Sequence, residues 1–245
     1  MKTVSTIALT LAFFTSCQAT PNTEKSEKII IPKESQQLLM VTTKDWNEKK
    51  GTLQRFEKID MKWSRVGEPI SIILGRNGLG WGIGLHQTPK DAKYIKKEGD
   101  GKAPAGLFTL GNGFGYDNFK IDFPYSTYKR TDHCVDDSKS EFYNQIIDST
   151  KVKKDYNSFE HMKLKNRLYK YGIRVNHNEN QVPMAGSCIF IHIRSDNGKG
   201  TAGCTAMKES EIVEVLKWIK LEKNPLLLQL PKIEVVKKIG DDSLL

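Results

Sequence analysis

The stretch "CIFIHIRSDNGKGTAGCTAM" (residues 188–207) decides how this chain folds around its reactive groups. In the segment 189–193, isoleucines occupy every second position and His192 lies between two of them. Because successive side chains of a strand point to opposite faces, we expect the isoleucines to face the core and His192 to face the other side. The loop 194–203 contains three glycines that let the backbone turn back, and Cys204 follows directly. We therefore expect the Cys204 sulfur to return to hydrogen-bond distance of the imidazole.

A thiol beside an imidazole is the arrangement of a cysteine nucleophile. The reactive form of cysteine is the thiolate, and a neighbouring imidazole can accept the thiol proton. Gly203 and Thr205 flank Cys204, and bare backbone N–H groups beside a glycine can stabilise an oxyanion. The spacing leaves two alternatives open: Cys204 and His192 are structural residues of the core, or they form a zinc site together with His177.

The bulk composition describes an ordinary globular protein with an excess of positive charge. The chain has 245 residues, of which 38% are hydrophobic and 27% charged, which argues against disorder and against several membrane spans, and indicates one main domain. The net charge of +9 favours a polyanion such as nucleic acid, anionic lipid or an anionic wall polymer. The lysines are scattered and form no compact basic helix, so we predict that nucleic acid is not a partner.

The N-terminal segment predicts export from the cytoplasm. Residues 1–19 contain one lysine and then an apolar run that is too short to span a membrane, as in a signal peptide. The segment "FTSC" (14–17) resembles a bacterial lipobox, although its phenylalanine departs from the usual aliphatic residue. Either Cys17 is lipidated and becomes the first residue, or cleavage near Ala19 gives a secreted or periplasmic protein. Both outcomes place the mature chain in the periplasm or in association with the cell envelope.

Three cysteines remain after Cys17, which is an odd number for an exported protein. At least one thiol is therefore free or bound to another molecule. A bridge between Cys134 and Cys188 is one pairing that the sequence allows. The chain has no Cys-x-x-Cys pair, which disfavours a thiol redox function.

Strand-type segments predominate in the region 37–240, which we interpret as a single domain that follows a flexible tether at residues 20–36. The glycine-rich segment 111–116 is interpreted as tight turns and close backbone contacts. Helices are predicted at 157–172, from a capping box and apolar periodicity, and at 208–225. We predict a β-rich α+β fold, with mixed and antiparallel sheets in a sandwich-like arrangement with packed helices. The strand-type segments are "QLLMVTT" (37–43), "LQRFEK" (53–58), "PISIILG" (69–75), "GIRVNHN" (172–178), "SCIFIHI" (187–193) and "PLLLQL" (225–230).

Several blocks of sequence, in one order, resemble the L,D-transpeptidase (YkuD-like) catalytic domain. The resemblance implies a β-rich sandwich, Cys204 as the nucleophile, His192 as the general base, and neither a metal nor a cofactor. The motif departs from the family's Ser/Thr-His-Gly-Cys, because Ala202 stands in the place of the histidine, and the His192-to-Cys204 separation is short. The matching blocks are "EGDGKAPAGLF" (98–108), "CVDDSKSEFYN" (134–144), "YNSFEHMKLKNRLYKYGIRVNHN" (156–178) and "AGSCIFIH…GTAGCTAM" (185–207).

The resemblance also implies a substrate, namely a peptidoglycan stem peptide. Cys204 would attack the carbonyl of the third residue and expel the terminal D-alanine, after which an amine (transpeptidation) or water (carboxypeptidase or endopeptidase activity) would release the acyl group. A noncatalytic cell-wall-binding lipoprotein is the alternative from another class. Asp100 is a candidate for shaping the pocket, and Asp136 and Asp137 for holding a loop. The candidates for orienting His192 or binding substrate are Asn176, His177, Asn178, Ser187 and Arg194.

Overall fold

The computed structural model describes residues 28–239 and 244, and β-strands form most of its regular structure. Two α-helices, α1 (Glu209–Trp218) and α2 (Lys232–Lys238), lie near the C-terminal end of the described region. The strands are β1 (Gln37–Thr43), β2 (Lys50–Ile59), β3 (Lys62–Ile73), β4 (Leu79–Trp81), β5 (Ala103–Gly115), β6 (Tyr125–Thr127), β7 (Asp132–Val135), β8 (Ile146–Asp148), β9 (Phe159–His161), β10 (Tyr171–Val175), β11 (Phe190–Ile193), β12 (Thr205–Met207) and β13 (Leu226–Pro231).

The main sheet closes on itself into a barrel-like sandwich. Its strands follow the order β10-β11-β12-β3-β2-β1-β13-β5, and β5 pairs again with β10. The sheet is mixed, because β1 pairs with β13 and β11 pairs with β12 in parallel, whereas β2 and β3 form an antiparallel hairpin. Closure pairs the edges that an open sheet would leave exposed. The β-rich architecture with mixed sheets is thus confirmed.

The core fills the space enclosed by this sheet. The predicted strands at 37–43, 53–58 and 69–75 correspond to β1, β2 and β3. Side chains of β1 are buried on both faces, as Leu38 and Leu39 show. A continuous apolar run is typical of a strand with neighbours on all sides.

The helical part of the prediction is confirmed at one place only. Helix α1 lies inside the predicted segment 208–225 and buries Ile212, Val215 and Leu216, although it ends at Trp218. The backbone N–H of Lys208 donates to a carboxylate oxygen of Glu211 (2.8 Å), which satisfies one free donor at the start of the helix. The described residues contain no further α-helix besides α2, so the expected set of packed helices is not supported. None of the helices in the described part is long and apolar enough to cross a bilayer.

The helix predicted at 157–172 is wrong. This segment contains β9, then irregular turns, and then the first residues of β10. The Tyr116 hydroxyl accepts hydrogen bonds from the backbone N–H groups of Leu164 and Tyr169 (both 3.2 Å), and Met162 is buried in a side-chain cluster with Tyr169. Tertiary hydrogen bonds therefore satisfy backbone N–H groups that would be paired within a helix. These contacts override the helical periodicity of the local sequence.

Two further expectations are corrected. The glycine-rich segment 111–116 lies mainly in β5 rather than in tight turns. Close backbone contacts are nevertheless present, since a Cβ on Gly115 would lie 2.3 Å from the Lys170 carbonyl oxygen.

Part of the predicted tether is attached to the domain, because Ile29 is buried and its N–H donates a hydrogen bond to the Lys238 carbonyl oxygen (2.9 Å). The predicted signal at 1–19, Cys17 and tether residues 20–27 lie outside the described residues.

A small second sheet is linked covalently to the main one. Strands β8, β7 and β9 form this three-stranded sheet, and Cys134 on β7 forms a disulfide with Cys188, two residues before the start of β11. Asn144 adds to the link, because its Oδ1 accepts a hydrogen bond from the Cys188 N–H (3.0 Å). The sequence allowed a Cys134–Cys188 bridge without predicting it, and the structure contains it.

The disulfide should contribute strongly to stability. It closes a loop with a sequence separation of 54, and loop-closure entropy for such a length corresponds to about 4 kcal/mol. We expect the Cys134→Ala/Cys188→Ala variant to unfold at a clearly lower urea concentration than the wild type, and dithiothreitol to lower the wild-type midpoint without affecting this variant. Equal midpoints for the wild type and the variant would contradict the assignment.

Candidate active site

The pairing of β11 with β12 determines where Cys204 lies. The register places Ile191 beside Thr205 and His192 beside Ala206, and Cys204 directly precedes β12. The N–H of Phe190 donates a hydrogen bond to the Cys204 sulfur (3.4 Å). Because side chains alternate along both strands, Cys204 and His192 point to the same face of the sheet.

The His192 ring is held by its own backbone and by an aromatic neighbour. Its Nδ1 lies 2.8 Å from the Ile193 carbonyl oxygen, so Nδ1 carries the proton and Nε2 is the acceptor. The ring of Tyr169 packs against it edge-on, with the centroids 5.2 Å apart. Burial lowers the pKa of His192 to about 4. Among the described residues no hydrogen bond joins the His192 ring to the sulfur of Cys204, so this conformation does not show the expected contact.

Cys204 is the free cysteine of the described region, and it is buried. Its Sγ lies 3.7 Å from the carbonyl oxygen of Cys188. Burial raises the pKa of the Cys204 thiol well above its ordinary value, and the nearby Glu160 carboxyl raises it further. The Phe190 N–H and the Lys96 ammonium act in the opposite direction. The resting state is therefore a neutral thiol at physiological pH.

A cleft of about 120 Å³ reaches Cys204 from the surface. Gly203 and Ala202, which precede the cysteine, form part of its wall, whereas His192 is not among the residues that line it. Charged side chains of both signs line it. They are Arg76, Lys96, Glu98, Asp136 and Glu160.

Lys96 is a buried cation in this cleft, with 4% of its surface exposed. Its ammonium donates to Oδ1 of Asp100 (2.7 Å), and Asp100 also accepts the backbone N–H groups of Lys97 (2.7 Å) and Lys102 (2.8 Å). Asp100 therefore folds the turn around itself and fixes Lys96 at the cleft wall. The ammonium also donates to the carbonyl oxygen of Lys97 (2.6 Å), so these two bonds use two of its three N–H donors.

Glu160 is one of the cleft residues that the sequence analysis did not select as candidates. The Tyr169 hydroxyl donates to its Oε2 (2.5 Å). Burial raises the pKa of the Glu160 carboxyl to about 7, and the charges of Asp136 and Glu98 add to the effect, while the hydrogen bond from Tyr169 opposes it. The sequence prediction assigned Glu160 to a capping box, although the alternation in "FEH" is also typical of a short strand.

The chain matches a known protein family over most of its length. Residues 27–235 match the model of the YkuD family, the L,D-transpeptidase catalytic domain. The chain belongs to the YkuD family. No curated protein matches the chain.

Two solved structures are similar to parts of this YkuD chain. One is the helical cell shape determining protein Pgp2 from Campylobacter jejuni, at 15% identity and a TM-score of 0.42, and the other is a single-residue variant of the same protein, at 16% identity and a TM-score of 0.42. Each alignment covers 84% of this chain and 51% of the solved chain, so the YkuD chain spans about half the length of these structures.

Three predicted polar candidates lie outside the cleft of the YkuD domain. His177 accepts a hydrogen bond from the Ile83 N–H at Nδ1 (3.2 Å) and donates from Nε2 to the Ala185 carbonyl (3.0 Å), which occupies both nitrogens. Asn178 holds the loop that follows it through Val182. Asn176 donates to the Thr109 hydroxyl (3.0 Å). The zinc alternative is not supported, because no group of three or more ligating side chains within the described ranges could hold a metal ion.

The remaining candidates divide between the cleft and the interior. Ser187 lines the cleft, and its hydroxyl donates to Oε2 of Glu98 (2.7 Å). Gly203 also lines it, but its N–H is hydrogen-bonded to the Thr201 hydroxyl (3.2 Å). The Thr205 hydroxyl points into the core, where it donates to Gln229 (2.7 Å).

Arg194 and two aspartates complete the predicted set. Arg194 is half-buried at the end of β11, where its N–H donates to the Met207 carbonyl (2.7 Å). Asp137 accepts the backbone N–H groups of Asn157 (2.9 Å) and Lys139 (3.1 Å), and these bonds lower its pKa. Asp137 thus holds its loop, whereas Asp136 lines the cleft.

Alkylation of Cys204 should report its environment. Because burial and the Glu160 charge raise the pKa of the thiol, and only the thiolate reacts, we expect iodoacetamide to modify Cys204 in the folded protein much more slowly at pH 8 than in urea-unfolded protein. The folded-state rate should still be rising above pH 9. Intact-mass measurements over time provide the rates. Equal rates for folded and unfolded protein at pH 8 would contradict the proposed burial of the thiol.

Proposed function

We propose that this chain is an exported cysteine acyltransferase that modifies peptidoglycan stem peptides through an acyl-enzyme on Cys204. The YkuD domain makes the protein a member of a family of peptidoglycan enzymes. The observation that carries the finer proposal is the placement of the free Cys204 at the end of a charged cleft, on the same sheet face as His192.

In the proposed reaction, the Cys204 sulfur forms a bond to the carbonyl carbon of the third stem residue. The bond from that carbon to the nitrogen of the terminal D-alanine then breaks, and the thiol proton passes through an acid–base group to the leaving amine. The family resemblance assigns this role to His192. Its Nε2 is the ring nitrogen that can accept a proton. The reaction therefore requires a side-chain movement that brings Nε2 of His192 and Sγ of Cys204 together. Catalytic hydrogen bonds are often long before the substrate binds.

Two cationic side chains among the charged residues of the cleft can bind the carboxylate of a peptide. Arg76 and Lys96 both line the cleft beside Cys204, and cationic side chains form strong, charge-assisted hydrogen bonds with carboxylates. The terminal D-alanine of a stem peptide carries such a group. Ala202 replaces the motif histidine in this wall, which removes a polar partner from the surroundings of the thiol. An amine or water then releases the acyl group, giving a cross-link or a shortened stem.

The proposal also includes the location of the protein. An export signal at residues 1–19 and either lipidation at Cys17 or cleavage near Ala19 would place the domain in the periplasm or at the envelope. The net charge of +9 favours contact with anionic envelope polymers.

Product analysis tests the proposal. We expect residues 21–245 to release D-alanine from a purified disaccharide tetrapeptide and the Cys204→Ala variant to release none. Chromatography with mass spectrometry then identifies either a dimer joined between two third residues or a tripeptide. Binding of the tetrapeptide by the wild type without any release of D-alanine would favour a noncatalytic cell-wall-binding protein.

Replacement of His192 tests its assigned role. If its imidazole transfers the proton, His192→Gln should lower the rate of D-alanine release by about 10²- to 10⁴-fold. His161→Gln, at an exposed histidine on β9, is the matched control and should retain the wild-type rate. Similar rates in the wild type and His192→Gln would show that another group carries the proton.

A further inference from the structure

The small sheet has a face that is turned away from the cleft and takes no part in the proposed reaction. Side chains alternate between the two faces of a sheet. Glu160 lines the cleft, and Cys134, which lies opposite it in the register, shares its face. The other face carries His133, Phe159 and His161. The His133 ring lies 3.9 Å from the Phe159 ring and 4.8 Å from the His161 ring, measured between centroids.

Exposed cations surround this outer face. The ammonium of Lys154 lies 5.1 Å from the centre of the Phe159 ring. Nδ1 of the exposed His161 lies 3.2 Å from the carbonyl oxygen of Arg130, so Arg130 is adjacent to β9. Further lysines occupy the turn before β7 and the loop that leads from β8 to Lys154. We call six exposed residues of these segments the basic face, namely Lys129, Arg130, Lys151, Lys153, Lys154 and His161.

The positive charge of the basic face is only partly compensated within the protein. Residues 151–170 contain seven lysine or arginine residues and two acidic residues. In the part of the chain that the structure describes, Lys151 is the member of the basic face that forms a salt bridge, with Asp148 (3.8 Å). The carboxylates of Asp132 and Asp155 accept hydrogen bonds from neutral groups of their own segments. The remaining cations can therefore pair with an external anion.

The basic face lacks the apolar groups that a membrane surface would require. Among the described residues, no large hydrophobic side chain that is exposed lies between residues 129 and 170. Protein segments that lie on a bilayer bury an apolar face in addition to presenting basic residues. A hydrated polymer with repeated anionic groups fits this surface better, because several weak charge pairs act together when both partners are multivalent.

We propose that the basic face docks the domain on the peptidoglycan polymer by binding the carboxylates of stem peptides that neighbour the one in the cleft. This docking role rests on the proposed function, which makes peptidoglycan the substrate. Strand β9 connects the two sites, since Glu160 lines the cleft and the adjacent His161 belongs to the basic face. Docking holds the polymer while one stem reacts, and it takes no part in the chemistry at Cys204.

Co-sedimentation with purified sacculi tests the docking surface. The Cys204→Ala protein serves as the parent, because it leaves the sacculi intact. The basic-face variant carries three further changes at exposed positions, Arg130→Glu, Lys151→Glu and Lys153→Glu. Because each change replaces a favourable charge pair by a repulsive one, we expect this variant to bind sacculi about tenfold more weakly than the parent.

A second triple variant controls for the overall charge. Lys44→Glu, Lys62→Glu and Lys232→Glu alter exposed lysines outside the small sheet and change the net charge by the same amount. This control should bind sacculi nearly as well as the parent. Equal binding by the two triple variants, whether strong or weak, would overturn the proposal. Thermal unfolding confirms that both variants are folded.

Chemical blocking of the sacculi identifies the anion. Amidation of their carboxylates with a carbodiimide and glycinamide should reduce binding of the parent to the level of the basic-face variant. Undiminished binding to amidated sacculi would show that another anion of the envelope, such as a phosphate group, is the ligand. That result would overturn the assignment of stem carboxylates.

The release of D-alanine separates docking from catalysis. With Cys204 intact, the three basic-face changes should leave the rate on the soluble disaccharide tetrapeptide at the wild-type value and lower the rate on sacculi. Equally reduced rates on both substrates would overturn a docking role. If the wild type releases no D-alanine from the soluble substrate, the proposed enzymatic function is overturned. Weaker sacculus binding by the basic-face variant than by the control variant would still support the docking surface.

Discussion

The parallel pairing of β11 with β12 is the constraint on which the site depends. It fixes the register at which Cys204 returns next to Phe190, and it turns the cysteine and His192 to one face while the isoleucines of β11 enter the core. A shift of one residue would move every side chain of the strand to the opposite face. Because the isoleucines fill the interior of a closed sheet, such a shift is strongly disfavoured, and the burial energy of the core also maintains the geometry of the site.

The cleft combines segments that are distant in the sequence. The disulfide from Cys134 to Cys188 ties the small sheet to the start of β11, and the neighbouring strand of that sheet carries Glu160. The turn around Asp100 supplies Lys96 from another part of the chain. The Cys204 thiol therefore lies in a low-dielectric wall, and charged groups from separate elements line the same cleft. Such an environment makes the protonation state of each group depend on the others.

The sequence predicted those parts of the fold in which local pattern and tertiary structure agree. Strand alternation placed His192 opposite the core-facing isoleucines, and the apolar stripe of α1 was recognised at the correct place. The segment 157–172 was not predictable from periodicity, because Tyr116 and the pairing with β7 determine its backbone. That error hid Glu160, whose significance arises from contacts across the chain. The hydrogen bond expected between His192 and Cys204 depends on side-chain rotamers, which strand alternation does not specify.

The proposed function requires one chemical event at one atom, namely thioester formation at the sulfur of Cys204. The most direct measurement is the location of the covalent adduct after the protein has reacted with tetrapeptide or a carbapenem, been quenched with acid and been digested for peptide mapping. The account predicts the added mass on the peptide that contains Cys204 and its absence from the Cys204→Ser variant. An adduct on another residue, or an unmodified Cys204 while D-alanine is released, would contradict it.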